Sequence, residues 1–239
     1  MIKKTVILLA SLSIIALASC NPSEDELLNK GIELLDASQY EESISYFDRA
    51  ISKNPNNTKA INAKGVALFQ LAKFEEAITS FDQAIKQDSS SYKPFFNRGN
   101  AHTELGRYAD AIADYNVANA INPDITEVYY NRAMALMNLE QYEDATFDFN
   151  EVINRKPNDH LALFNMAKAQ LLLNQVEQAA TYLNATIEAD QKYAPAYYLL
   201  GITQINAIGM IDDGCANLKM AESLGFKEAT AMIEKLCNK

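Results

Sequence analysis

Cys20, Cys215 and Cys237, together with His102 and His160, are the residues of this sequence with the most reactive side chains. A catalytic thiol needs a base beside it, and a metal ion needs several Cys, His or carboxylate ligands brought close together. The two histidines share no turn and have no Cys or His at ligand spacing, so no metal is expected. No nucleophile–base motif and no glycine-rich phosphate loop accompanies them, so no cofactor and no enzymatic activity is expected either. His102 falls in a slot where helices pack and reads as a satisfied interface histidine. Contact chemistry is better represented. Phe96, Tyr130, Phe164 and Tyr198 recur at intervals of 34, and Asn97, Asn131 and Asn165 each follow one of them. Asn100, Met134 and Lys168 mark a third series with the same interval of 34. Rigid rings and methionine give large contact area at low entropic cost, while amides both donate and accept hydrogen bonds.

The composition fits a helical protein. It is 49% apolar and 22% charged, with only eight glycines and six prolines among 239 residues. The net charge is −10, and loss of the first 19 residues would leave 19 basic against 31 acidic side chains. That balance excludes the clustered Lys and Arg by which proteins displace phosphate counterions, so nucleic acid is not an expected partner.

Residues 1–19 form a leader. Lys3 and Lys4 precede an apolar run from Val6 to Leu17 that is too short to span a bilayer as a stable helix. It ends in Leu17-Ala18-Ser19-Cys20, which resembles the bacterial lipobox. The resemblance implies that Cys20 is acylated, with palmitate-type chains, and becomes the first residue of the mature protein. An ordinary signal peptide with an incidental cysteine is the alternative. Two or three chains anchor stably, because each buried methylene contributes about 0.8 kcal/mol. Residues 20–23 would be the tether. The stretch Asn21-Pro22-Ser23-Glu24-Asp25-Glu26 reads either as a polar sorting tag or as a helix start with Ser23 as N-cap. The expected location is the bacterial envelope, at the outer membrane, facing the periplasm or the surface.

The remaining chain repeats. Pro123 and Pro157 are 34 residues apart and Pro55 is 68 before Pro123, which divides it into units 24–57, 58–91, 92–125, 126–159 and 160–193, then 194–225. The eighth residue of each unit is small (Gly31, Gly65, Gly99, Ala133, Ala167, Gly201) and the twentieth is Ser43, Ala77, Ala111, Ala145 or Ala179. The twenty-fourth is bulky: Phe47, Phe81, Tyr115, Phe149 and Leu183. Small residues at 8 and 20 are expected where the two helices of a hairpin cross, and the bulky residue at 24 between one hairpin and the next. The sixth unit fits only with one residue inserted near Asn206–Gly209, and 226–239 reads as a capping helix after Leu224-Gly225. This pattern resembles the tetratricopeptide repeat (TPR). The fold it implies is all-α: a right-handed superhelix, or α-solenoid, of five to six helical hairpins plus a C-terminal cap.

The resemblance further implies a concave groove lined by the first helix of each hairpin. Its expected lining is Phe96, Asn97, Asn100, Tyr130, Asn131, Met134, Phe164, Asn165, Lys168 and Tyr198, with the amides free to bond an extended peptide backbone. The Lys and Asn spacing with which some TPR proteins grip a terminal carboxylate is absent, since no unit has lysine at its fifth position. The expected role is a membrane-anchored scaffold that binds a protein or peptide in this groove, within an envelope assembly. A surface lipoprotein that captures a glycan or small ligand is the second possibility; the oligomeric state stays open. With Cys20 acylated, Cys215 and Cys237 remain as a pair on the last two helices and read as a disulfide, two packed free thiols being the alternative.

Overall fold

A computed structural model describes residues 22–237; Cys20 and the leader before it lie outside the described residues. Among the described residues the backbone forms thirteen α-helices, one π-helical segment and no strand. Five regular hairpins come first. They are α1 (Glu24–Asp36) with α2 (Tyr40–Lys53), α3 (Thr58–Gln70) with α4 (Phe74–Gln87), and α5 (Tyr92–Glu104) with α6 (Tyr108–Ile121). Then come α7 (Thr126–Asn138) with α8 (Tyr142–Arg155), and α9 (His160–Leu172) with α10 (Val176–Ala189). A sixth joins α11 (Ala194–Thr203) to α12 (Ile211–Ser223), and α13 (Glu228–Leu236) closes the chain.

Local chemistry sets the helix ends. Ser23 accepts from the Glu26 backbone N–H at 3.2 Å, and the Glu26 carboxylate accepts from the Ser23 N–H at 2.7 Å, a reciprocal capping box. Each regular hairpin turns through one left-handed residue: Ser38, Ala72, Gly106, Glu140 or Asn174. Around it the same two bonds recur, as in Gln39 N–H to Leu34 C=O at 2.8 Å and Ser38 N–H to Leu35 C=O at 2.9 Å, the Schellman arrangement. Between hairpins, Asn54, Asp88, Asn122 and Asp190 each accept through the side chain from the backbone N–H two residues on. These Asx turns reverse the chain where proline is present and where it is not.

Packing distinguishes the two helices of a hairpin. The second buries a single stripe, as α2 does with Ser43, Phe47 and Ala50, and its other faces meet solvent. The first is enclosed from several sides; α9 buries Ala162, Leu163, Asn165, Met166, Ala167, Ala169 and Gln170. Successive first helices also touch each other, α1 with α3, α3 with α5 and α5 with α7, which puts them on the inner side of the curve. The small eighth residue has a more specific reason than the sequence suggested. A Cβ on Gly31, Gly65 or Gly99 would come within 2.4–2.7 Å of the ring of Phe47, Phe81 or Tyr115 in the same hairpin. The bulky twenty-fourth residue therefore fills its own hairpin as well as the space toward the next, where Phe47 shares a core with Ala60 and Ala67.

In the sixth hairpin the inserted residue becomes the π-helical segment Gln204–Ile208, which ends at left-handed Gly209. A π turn holds one residue more than an α turn, so the slip is absorbed without moving α12 out of register. Here two glycines do meet: a Cβ on Gly201 would lie 2.7 Å from the Gly214 carbonyl oxygen. α13 begins after left-handed Gly225 and buries Ala229 and Ile233 against the stack. Cys215 of α12 and Cys237 just past α13 are joined as a disulfide.

Candidate functional site

The four rings spaced 34 apart all lie half-buried on first helices, and each rests on a second ring. Phe96 tilts onto Tyr115 with centroids 6.0 Å apart, and Tyr130 meets Phe149 edge-on at 6.0 Å. Phe164 meets Tyr193 at 5.2 Å, and Tyr198 lies 4.8 Å from Phe226. One face of each ring is thus held in place while part stays accessible, the arrangement that limits the entropy lost when a partner docks.

The amides are less free than the sequence suggested. Asn97 donates to Asn62 at 3.1 Å, Asn131 to Asn100 at 2.9 Å, and Asn165 to the Tyr130 hydroxyl at 3.0 Å. In each case the donor reaches the first helix of the preceding hairpin, so these residues stitch the inner helices together. Asn165 also donates to the Leu161 carbonyl at 3.0 Å and is only 8% exposed, so it belongs to the core rather than to an open binding surface. Asn100 and Asn131 remain half-buried with capacity to spare. Both lone-pair directions of the Asn100 oxygen are taken, by Asn131 and by the Tyr115 hydroxyl at 2.8 Å. Among the described residues its NH₂ and the Asn131 carbonyl have no hydrogen-bond partner, which leaves one donor and one acceptor for a peptide group. Burial pushes the Tyr115 phenol up to about 12, so it stays a proton donor to Asn100 throughout the physiological range.

Three of the cavities on this face are bordered by the expected residues. Asn100, Asn131 and Met134 share one of about 280 Å³ with Phe69, Thr103 and Tyr115. Tyr130 and Asn131 border a smaller one of about 170 Å³. Phe164, Lys168 and Tyr198 join Phe226 around the largest, about 380 Å³. Phe96 and Asn97 line none of the three and act as packing and stitching residues.

Family models described as tetratricopeptide repeat match residues 28–92, 62–124, 126–159 and 161–191. The chain belongs to the TPR family. Solved TPR structures share its fold at low identity. The YrrB structure is 21% identical with a TM-score of 0.71, covering 80% of this chain and 98% of its own. The pilF protein of Pseudomonas aeruginosa is 18% identical with a TM-score of 0.72, covering 87% and 97%. MamA of Desulfovibrio magneticus RS-1 is 17% identical at 0.67, covering 70% and 94%. No curated protein matches.

Outside the inner face, this TPR stack is tied by buried ion pairs. Arg132 binds Asp148 through two parallel bonds of 2.7 and 2.6 Å and also reaches Asn116 of the preceding hairpin at 2.7 Å. Arg98 repeats the pattern with Asp114 and, in the preceding hairpin, Asp82. These fork-shaped contacts occupy both guanidinium groups and fix the rotation between neighbouring repeats. His102 lies beside this network with its Nε2 3.9 Å from Asp114, beyond hydrogen-bond distance, and among the described residues its buried Nδ1 has no partner, so the expected satisfied histidine is not what the structure shows. Among the described residues no group of three potential ligands could hold a metal. Phe226 falls outside the repeat, just beyond the last unit, 194–225. The repeat also gave no sign of Tyr115 as the support of Asn100, since its slot reads only as bulky. A bulky residue directly after a helix-ending glycine was the one available signal for Phe226.

Proposed function

We propose that the chain is an envelope scaffold, tethered through acylated Cys20, that binds an extended segment of a protein partner along its inner face. The observation that carries the binding reading is the Asn100–Asn131 pair. Its free donor and acceptor lie beside the apolar walls of Phe69 and Met134 in one cavity. A peptide backbone meets the amides and its side chains meet the walls, so affinity comes from the main chain and selectivity from the cavities. YrrB, whose fold this chain shares, is described as a TPR protein with an unusual peptide-binding site, which favours a peptide as the ligand here.

The tether reading is supported by the lipobox-like Leu17-Ala18-Ser19-Cys20. Among the described residues no helix is long and apolar enough to cross a membrane. Labelled palmitate incorporated by the wild type and not by Cys20→Ser supports it; equal labelling removes it. For binding, protein beginning at Asn21 is immobilised and offered an envelope extract. A partner retained by the wild type and lost with Asn100→Ala plus Asn131→Ala supports the groove. Retention of sugar with no protein would instead favour glycan capture.

A further inference from the structure

The cavity of about 380 Å³ at the C-terminal end of the inner face differs from the other two in its chemistry. Phe164, Leu171, Tyr198, Leu199 and Phe226 make its walls apolar, and Lys168 is the one charged residue among those that line it. The size falls within the roughly 300–1,000 Å³ range of sites that enclose organic groups. A single cation at an apolar mouth is notable in a chain of net charge −10. The Lys168 ammonium lies 5.9 Å from the centre of the Phe164 ring and forms no ion pair among the described residues. Its charge is therefore available to a ligand.

We infer that this cavity takes a bulky apolar side chain whose neighbour in the bound segment is an acidic residue. The inference rests on the groove reading and adds its selectivity. The apolar side chain fills the space between Phe164, Tyr198 and Phe226, and the adjacent carboxylate pairs with Lys168. A chain-terminal carboxylate fits less well, because its two oxygens need several convergent donors and the lining supplies no arginine and no amide. A lone lysine is a mobile point charge, matched by an acidic side chain on its own flexible stem. Phe226 acts here as a specificity-determining residue contributed by the capping segment.

The stack starts at the Ser23 capping box and ends at α13, so protein beginning at Asn21 holds every element of the site. ¹⁵N-labelled protein of this length is titrated with acetyl-Ser-Gly-Phe-Glu-Gly-Ser-amide. Three comparison peptides carry Ala for Phe, Gln for Glu, or a free C-terminal carboxylate after Phe in place of Glu. Shifts at Lys168, Leu199 and Phe226 are expected with the first peptide. Replacing Phe by Ala weakens binding at least ten-fold, from the apolar area lost. Replacing Glu by Gln weakens it about three-fold, as for an exposed ion pair, and Lys168→Met abolishes that difference while leaving the Phe preference. Phe226→Ala reduces the Phe preference. Equal binding of the Phe and Ala peptides, preference for the terminal carboxylate, or no binding at all would overturn the inference. A partner retained despite Asn100→Ala plus Asn131→Ala, by contrast, contradicts the groove reading while leaving this titration interpretable.

Discussion

The ring of Phe226 lies 4.8 Å from that of Tyr198, so the inner face of the last repeat is completed by the capping segment. Phe226 lies two residues before the cap helix, and that helix is fastened to α12 by the Cys215–Cys237 bond, 22 residues apart in sequence. The bond therefore holds a wall of the largest cavity in place from a distance.

Opening it has a defined consequence. Cys215→Ser plus Cys237→Ser should keep the helical content of the five regular hairpins but cost about 3 kcal/mol by the loop-entropy relation. Denaturant unfolding reads the cost, and hydrogen exchange should accelerate first in α13. Unchanged exchange there would show that the bond fixes nothing.

The ion pair of Arg132 and Asp148 is more strongly enclosed than an ordinary surface pair, with side chains 14% and 2% exposed. Burial pushes the Asp148 carboxyl above its usual range against the pull of Arg132. Arg132→Met should destabilise by roughly 3–5 kcal/mol because a buried carboxylate loses its partner. Adding Asp148→Leu should recover most of the loss, measured by the same unfolding curves. A double variant as unstable as the single one contradicts this account.

Tyr115 gives a pH signature. Its phenol is raised from 10.0 to about 12, chiefly by burial, so the folded state holds the proton more tightly than the unfolded chain. That contribution is fully present below about pH 10 and is lost as pH rises toward 12. Tyr115→Phe should therefore flatten the fall in stability over that window. A spectrophotometric titration should show one phenol fewer ionising at its upper end than in the wild type.

The hairpin turns offer opposite signs from similar substitutions. Gly106 is left-handed with φ of 71°, and nothing lies within 4 Å of where a Cβ would go. Gly106→Ala should thus cost only the strain of that conformation, about 1 kcal/mol. Ala72, left-handed with φ of 56°, should gain from Ala72→Gly. Thermal unfolding of both variants checks the pair.

Much of this architecture was legible in the residue pattern, because each of the first three hairpins must place a glycine where a ring presses on its backbone. Gly31 beneath Phe47 and Gly65 beneath Phe81 carry that signal. The one-residue slip before Gly209 was visible too, although not its resolution into a π turn. The turns were less readable, since only Gly106 among the five left-handed residues is a glycine. The wiring of the inner face was not readable at all. Whether Asn165 faces a ligand or bonds to Tyr130 depends on a hydroxyl 35 residues away on another helix. The burial of Asp114 and Asp148 was hidden for the same reason, because isolated aspartates read as surface until their arginines are placed.

The inner face as the docking surface is tested most directly by photo-crosslinking in cells. p-Benzoylphenylalanine is placed at Met134, beside the Asn100–Asn131 pair, and in a separate variant at Asn150, exposed on the second helix of the same hairpin. A partner crosslinked from position 134 and not from position 150 is the predicted result. Crosslinking from position 150 alone would place the interaction on the other side of the stack and contradict it.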